Sequence, residues 1–568
     1  MPGTSSTRHR MSGSVMTHPK RLDAARRIAA DAPPGALSVV VDPDPTGRPS
    51  VLRTALAAWS AIEEGATHHL VVQDDMILSD GFFERAHRAV EAMPDAALAL
   101  FALWDSRNGA AARFAALSGA RWVGAVGEYF PCVAIILPRA VAAGYVEYAS
   151  RHLFAWPDDI LMDRYLRAAG VPRFVAVPNL AEHDDRGSIS GNAFRGPRRS
   201  VCFLPTDQPG HEERHLTDLH TIPYFKYGIA RCDVRQPGPG RPRWLHIDCE
   251  QYLEGRGIPV APLRSRLPRS TGAVDPQTAW GTWLTAYTTG LVHHDLPVLG
   301  EPDPAVLDEC LATLGIGGIA QNGTAEEIAA LRDDLTALTR QGLLAGRADA
   351  PGPSRRHHRH TPTPTPTPTV AVLGADTPLG EHLARGLADH GHHLVEATAS
   401  PDAAVELPTA EGPLIIHRPS AEPLTLHLGD LYGPGTSRHT PIGRMVWSAL
   451  RSHPITLDGD PDTPLHPLHV KDLLSALSLL LRTPPATTTL TLTTEKPLTA
   501  RDLAETVHRV VRPVPISPAP TNHPAPPSPT APPAPTPTGW HPTVDLDFGL
   551  HSFAQWLAYE AIHLPDAD

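Results

Sequence analysis

Hydrophobic and polar positions exchange between two periods along the first third of the chain. RLDAARRIAADA, from Arg21, and VLRTALAAWSAIEEGA, from Val51, repeat apolar residues every three to four positions, as does FFERAHRAVEAM from Phe82. Between them stand short apolar runs: ALSVVVDPD from Ala36, HHLVVQDD from His68 and ALALFAL from Ala97. The first pattern predicts amphipathic helices and the second buried strands, so the alternation predicts an α/β fold with a mostly parallel sheet. Ligands of such sheets gather at the carboxyl ends of the strands, and Asp42, Asp44, Asp74 and Asp75 fall at such ends.

The patterning stops at two tracts, PGPSRRHHRHTPTPTPTPT before Val370 and the proline-rich run from Pro513 to Gly539. Proline fixes φ and removes a donor, so these tracts read as extended, solvated spacers. They divide the chain into a disordered N-terminus (1–15), a first α/β domain (16–205), a partly helical middle region (206–350), a linker (351–369), a second α/β domain (370–512), a linker (513–540) and a C-terminal helix (541–568). Folded-looking sequence begins at Met16. In the middle region AEEIAALRDDLTALTRQGLLAG predicts a helix closed by a capping glycine, and Trp244–Ile247 a strand leading into a helix. His246, Asp248 and Glu250 beside that strand read as a helix-capping Asp with a partly exposed His.

A length of 568 residues exceeds one ordinary core, and a net charge of -12 leaves no basic footprint for nucleic acid. Cys132, Cys202, Cys232, Cys249 and Cys310 have no CxxC spacing, which fits reduced thiols in a cytoplasm better than a disulfide framework or a zinc knuckle. No run reaches the length of a membrane span, and the first twenty residues lack a secretory apolar core.

The densest chemistry lies in HHLVVQDDMILSDGF, where an apolar run ends at Asp74 and Asp75. Paired carboxylates at a strand end suit a divalent cation held against phosphate oxygens; adjacent acids also begin turns and cap helices. QDDMILSDGFF resembles the aspartate motif of glycosyltransferases of the GT-A fold. WPDDILMDRYLRAAG, from Trp156, resembles the family's acidic helix start beneath the acceptor site. VPNLAEHDDRGSISGN, from Val177, resembles the strand and loop in which a histidine returns to the metal. The resemblance covers about a third of the chain. It implies Mn²⁺ or Mg²⁺ held by Asp74, Asp75 and His183 against the diphosphate of a nucleotide-sugar donor, and Asp159, with Asp158 next, as the base toward an unknown acceptor. Gln73 stands where many relatives carry an acid. Competing readings are macrodipole acids for Asp158 and Asp159, a loop pairing of His183 with Asp184 or Asp185, and a simple turn for Ser188 and Ser190.

TVAVLGADTPLGEHLARGLADHGHHLVEA reads as strand, tight turn, helix and strand, with Gly374 and Gly380 framing the turn. It resembles the opening of an extended short-chain dehydrogenase, the class of NAD-dependent nucleotide-sugar epimerases and dehydratases. LHLGDLYGPG, LHPLHVKDLLSALSLLL and TLTLTTEKPLTARDLAETV match later elements. Gly374 and Gly380 are its cofactor-binding candidates for NAD(P). Thr377 replaces the middle glycine of GxxGxxG, which is expected to crowd the pyrophosphate. The stretch from Gly380 to Tyr432 is short and lacks YxxxK. The second domain is therefore expected to be a truncated, Rossmann-like, non-catalytic relative that serves packing, a protein partner or weak nucleotide binding.

Three functions follow: a metal-dependent glycosyltransferase, an NAD-dependent epimerase or dehydratase, and a non-enzymatic scaffold in which both nucleotide folds have decayed.

Overall fold

The computed structural model describes residues 9–560 apart from 48–49, 128, 152–157, 185–195, 237–242, 269–271, 351–368, 391, 409–411, 420, 458, 495 and 519–534. The fold is α/β, and the chain divides into two compact units, Met1–Arg356 and His357–Asp568.

In the first unit, β1 (Met11–Thr17), β2 (Ser38–Val41) and β3 (His68–Gln73) form a parallel group with β1 in the centre. The helices α1 (Leu22–Asp31) and α2 (Val51–Ser60) connect them, and the Ser50 side chain caps α2 by accepting from the Arg53 amide. The ribbon strand β4 (Met76–Leu78), α3 (Phe82–Ala92), β5 (Ala97–Ala99), α4 (Arg107–Ser118), β6 (Trp122–Gly124), β7 (Ala134–Pro138) and α5 (Arg139–Ser150) follow. After them come α6 (Asp158–Ala168), β8 (Arg173–Ala176), β9 (Ala181–His183) and β10 (His215–Leu216). The eight-stranded sheet has the order β10-β6-β8-β5-β7-β3-β1-β2. β7 runs antiparallel to both neighbours, β3 and β5, so the expected parallel sheet is interrupted. Val15, Leu70, Val72 and Ile136 are fully buried at its centre. β4 and β9 pair apart from the sheet, with Met76 opposite His183.

Two boundaries differ from the sequence reading. β1 begins at Met11, so folded chain starts ahead of Met16; small polar residues, Ser12, Gly13 and Ser14, interrupt its apolar pattern although Ser12 and Ser14 are buried. The middle region belongs to the first unit. Its antiparallel sheet, β11 (Thr221–Lys226), β12 (Ile229–Gln236) and β13 (Arg243–Asp248), meets α4 through buried Arg107 and Asp233, 2.9 Å apart. Asp248 caps the next helix by accepting from the Gln251 amide at 2.7 Å, as expected, whereas the His246 side chain is buried, its Nδ1 2.9 Å from Asp233. The expected long helix splits into Ala325–Ala330 and Arg332–Asp349. Gly346 does not end it: a Cβ there would stand 1.9 Å from the Tyr287 carbonyl oxygen, so this glycine lets two helices cross closely.

In the second unit, β14 (Thr369–Leu373) lies between β15 (His393–Leu394) and β16 (Ala403–Glu406), all parallel. β17 (Leu414–His417) pairs antiparallel with β16 and with β18 (Leu424–Leu428), and Thr489–Leu492 closes the sheet. The sheet is thus Rossmann-like over three strands and then turns back. The C-terminal helix, Leu546–Gln555, is part of this unit, with Leu550 and Phe553 fully buried in its core.

Candidate functional site

β1 leads through α1 to β2 on one side, and the chain then crosses to place β3 on the other. The strand order therefore reverses between β1 and β3, and such a switch leaves a crevice at the carboxyl ends of the two strands. Thr17 ends β1, and Gln73 followed by Asp74 and Asp75 ends β3. The Thr17 hydroxyl donates to Asp74 Oδ2 at 2.5 Å. Arg21, in the 3-10 turn Pro19–Arg21, donates from one nitrogen to both acids, at 2.8 Å to Asp75 Oδ2 and 3.3 Å to Asp74 Oδ1. Burial pushes the Asp74 carboxyl above its usual range against the Thr17 hydrogen bond, and the charge of Asp75 adds to the rise.

The pairing of β9 with β4 brings His183 to the same place. Its Nε2 lies 3.4 Å from Asp75 Oδ2, and the Asp184 amide donates to the Asp75 carbonyl at 2.7 Å. The structure thus joins His183 to Asp75. Asp185, Ser188 and Ser190 lie outside the described residues.

The donor chemistry of Asp74, Asp75 and His183 suits a hard cation, and Asp75 Oδ1 is buried with no hydrogen-bond partner. Among the described residues, however, no three His, Cys, Asp or Glu side chains converge as a ligand set, and a guanidinium spans the two carboxylates. The expected metal ligands are adjacent, but with Arg21 in place they are closed to a metal ion. Arg21 escaped sequence reading because β1 itself did.

Asp158 and Asp159 open α6. Asp158 is buried, accepts from the Tyr145 hydroxyl and contacts the Cys132 thiol; burial pushes its carboxyl up to about 7. Asp159 is half-buried, accepts the Ile160 amide on its own Oδ1 at 2.9 Å, and offers its carbonyl to the Phe130 amide. The Gln73 side chain donates to the Cys132 carbonyl at 3.3 Å, which links the end of β3 to the residue that contacts Asp158. Asp42 is occupied elsewhere: Arg53 grips both its oxygens at 2.8 Å and holds its carboxyl below the usual range.

In the second unit the strand order reverses between β14 and β16, where Gly374 takes φ +86°. A Cβ on Gly380 would lie 2.0 Å from the Gly374 carbonyl oxygen, so that glycine seats the helix Pro378–Asp389 on the turn. Thr377 caps this helix, accepting from the Gly380 amide at 3.1 Å and donating to the Gly374 carbonyl at 2.7 Å. Its hydroxyl therefore serves the turn itself. The Tyr432 side chain is buried, and a Cβ on Gly549 of the C-terminal helix would stand 2.3 Å from its hydroxyl. His469 caps the helix Val470–Arg482, and burial pushes its imidazole down to about 3.

No protein-family model matches the chain, and no curated protein does. Solved structures do match. Pal from Bacillus thuringiensis is 17% identical over 24% of this chain and 45% of its own, with a TM-score of 0.20. UDP-glucose 4-epimerase with UDP-glucose from Thermotoga maritima is 11% identical over 33% of this chain and 98% of its own, with a TM-score of 0.25. dTDP-glucose 4,6-dehydratase in complex with NAD from Bacillus anthracis is 18% identical over 24% of this chain and 46% of its own, with a TM-score of 0.21. The chain therefore spans less than half the length of the first and third of these proteins. Likeness at this level fixes neither activity nor ligand. Among the described residues no helix is long and apolar enough to cross a membrane.

Proposed function

We infer that the first unit transfers a sugar from a nucleotide-sugar donor to an acceptor hydroxyl. The observation that carries this reading is the Asp74–Asp75 pair, set with Thr17 at the strand-order reversal and faced by His183. The resemblance of QDDMILSDGFF to GT-A glycosyltransferases points the same way. The crevice binds the donor's diphosphate, and Asp159 takes the acceptor proton while a bond forms to the anomeric carbon and the bond to the diphosphate breaks. Asp158, buried and bonded to Tyr145, positions the start of α6. A divalent cation, for which Asp74, Asp75 and His183 would be the ligands were Arg21 not across the two carboxylates, would supply positive charge to the leaving diphosphate.

Calorimetric titration of the full chain with UDP, GDP and dTDP tests this. Binding that weakens at least tenfold in both Asp75→Ala and His183→Ala supports it; binding indifferent to both variants refutes it.

A second reading, an NAD-dependent nucleotide-sugar epimerase or dehydratase in the second unit, is favoured by Gly374 and Gly380 at the other strand-order reversal. No tyrosine in the sequence is followed four residues later by lysine, which weighs against hydride chemistry. NAD binding to the full chain would favour this reading, and its absence would refute it.

A further inference from the structure

The five cysteines are scattered in the sequence and all buried, and the fold sorts them. Cys132 faces Asp158, Cys232 shares a hydrogen bond with Cys249, and Cys202 shares one with Cys310. Cys232 and Cys249 stand at one corner of the β11–β13 sheet, where the Cys249 thiol donates to the Arg231 carbonyl at 3.1 Å. Cys202 and Cys310 lie more than a hundred residues apart, so their contact joins distant parts of the chain.

Both ends of that contact are fixed by their surroundings. The Val201 amide donates to the Ala102 carbonyl at 2.8 Å and the Asn179 amide to the Cys202 carbonyl at 2.7 Å, which holds Ser200–Cys202 against the stretches that leave β5 and β8. Val306, Cys310 and Thr313 share one face of the helix Pro304–Gly318. The Val306 carbonyl accepts from the Cys202 thiol at 3.5 Å, and the Thr313 hydroxyl donates to the Val201 carbonyl at 2.6 Å. Arg113 of α4 donates to the Cys310 carbonyl at 2.9 Å and to the Thr313 hydroxyl at 3.1 Å. The backbones that carry the two thiols are therefore locked in register.

We propose that Cys202 and Cys310 are a redox pair that a small-molecule disulfide closes, stapling the helix Pro304–Gly318 to the segment Ser200–Cys202. One sulfur attacks the reagent to form a mixed disulfide and the second displaces it, so that the two thiol protons and two electrons leave as two small thiols. Both sulfurs are fully buried, which makes closure slow in the folded chain and shields the bond once formed. The staple reaches the Asp75–His183 contact: Ser200 holds Glu182 through its amide and hydroxyl, each at 2.9 Å, and Glu182 precedes His183 in β9.

The test exposes the full chain to oxidised glutathione, both folded and during refolding from urea in a glutathione redox buffer. Free thiols are then blocked with N-ethylmaleimide under denaturing conditions and the peptides mapped by mass spectrometry. The expected result is a crosslinked peptide pair carrying Cys202 and Cys310, with Cys132 alkylated. Oxidation should raise the melting temperature of the first unit by roughly 5 °C or more, because the closed loop is long, and Cys202→Ala and Cys310→Ala should each abolish that rise. Hydrogen exchange over Ala181–His183 should slow in the oxidised protein, and unchanged exchange there would overturn the reach to His183. Cys202 and Cys310 both recovered alkylated, or carrying glutathione, under both regimes overturns the proposal, as does a crosslink confined to Cys232 and Cys249. If the alanine variants do not fold, the map of the wild-type peptides decides alone.

Discussion

Asp158 and Asp159 are adjacent in sequence and opposite in circumstance. The Asp158 carboxyl, buried against Tyr145 and Cys132, ionises near 7, far above the 3.8 of an unfolded chain. Between those values the folded state keeps a proton that the unfolded state has lost, so stability falls as pH rises through this window, and the loss is complete above it. Asp158→Asn cannot ionise and escapes that loss, which is of the order of a few kcal/mol. Relative to wild type, the variant should therefore gain stability between pH 4.5 and pH 8, measured by thermal melts; parallel profiles would refute the assignment. The proximity of His183 to Asp75 was legible because a strand, an acid pair and a returning histidine leave a pattern. Arg21 and Tyr145 were not legible. One follows a strand whose Ser12, Gly13 and Ser14 hide its period, and the other is a helix residue that meets Asp158 only in the folded chain.

At the scale of elements, the helix–strand alternation of the first unit was readable because its period changes from 3.6 to 2 at each boundary. The reversal of β7 was not, since buried parallel and antiparallel strands carry the same apolar run. Ser12, Gly13 and Ser14, which break the apolar pattern of β1, set the first domain boundary at Met16. A chain starting there loses Met11–Val15 from the seven-residue strand at the centre of the parallel group and should yield an insoluble or unfolded first unit; a circular dichroism spectrum like that of the full chain would contradict this. In the second unit, Thr377 appeared in the sequence as a missing glycine, yet in the structure it is a helix cap. At Gly380 a Cβ would collide with backbone, 2.0 Å from the Gly374 carbonyl oxygen. Gly380→Val should destabilise that unit by about 2–3 kcal/mol, the cost of forcing atoms into filled space, and lower one calorimetric transition while sparing the other. An unchanged melting profile would show that the turn relaxes freely.

The whole molecule carries two α/β units, each with its own strand-order reversal, and the two proposed readings differ in which reversal would hold a nucleotide. The length indicated two or three domains; the two units part at Arg356, in the first proline-rich tract, whereas the second tract lies within the second unit. The assignment of the middle region to the first unit depends on contacts such as Arg107 with Asp233, more than a hundred residues apart, which no local pattern records. The transfer reading places the ligand against Thr17–Leu22, Gln73–Leu78 and Ala181–Asp184; the dehydrogenase-like reading places it against Leu373–Gly380. Hydrogen–deuterium exchange of the full chain, with and without a saturating nucleotide sugar in the presence of Mn²⁺, separates the two directly. The account predicts slowed exchange in the first three segments and none in the last, and protection confined to Leu373–Gly380 and its neighbours would contradict it.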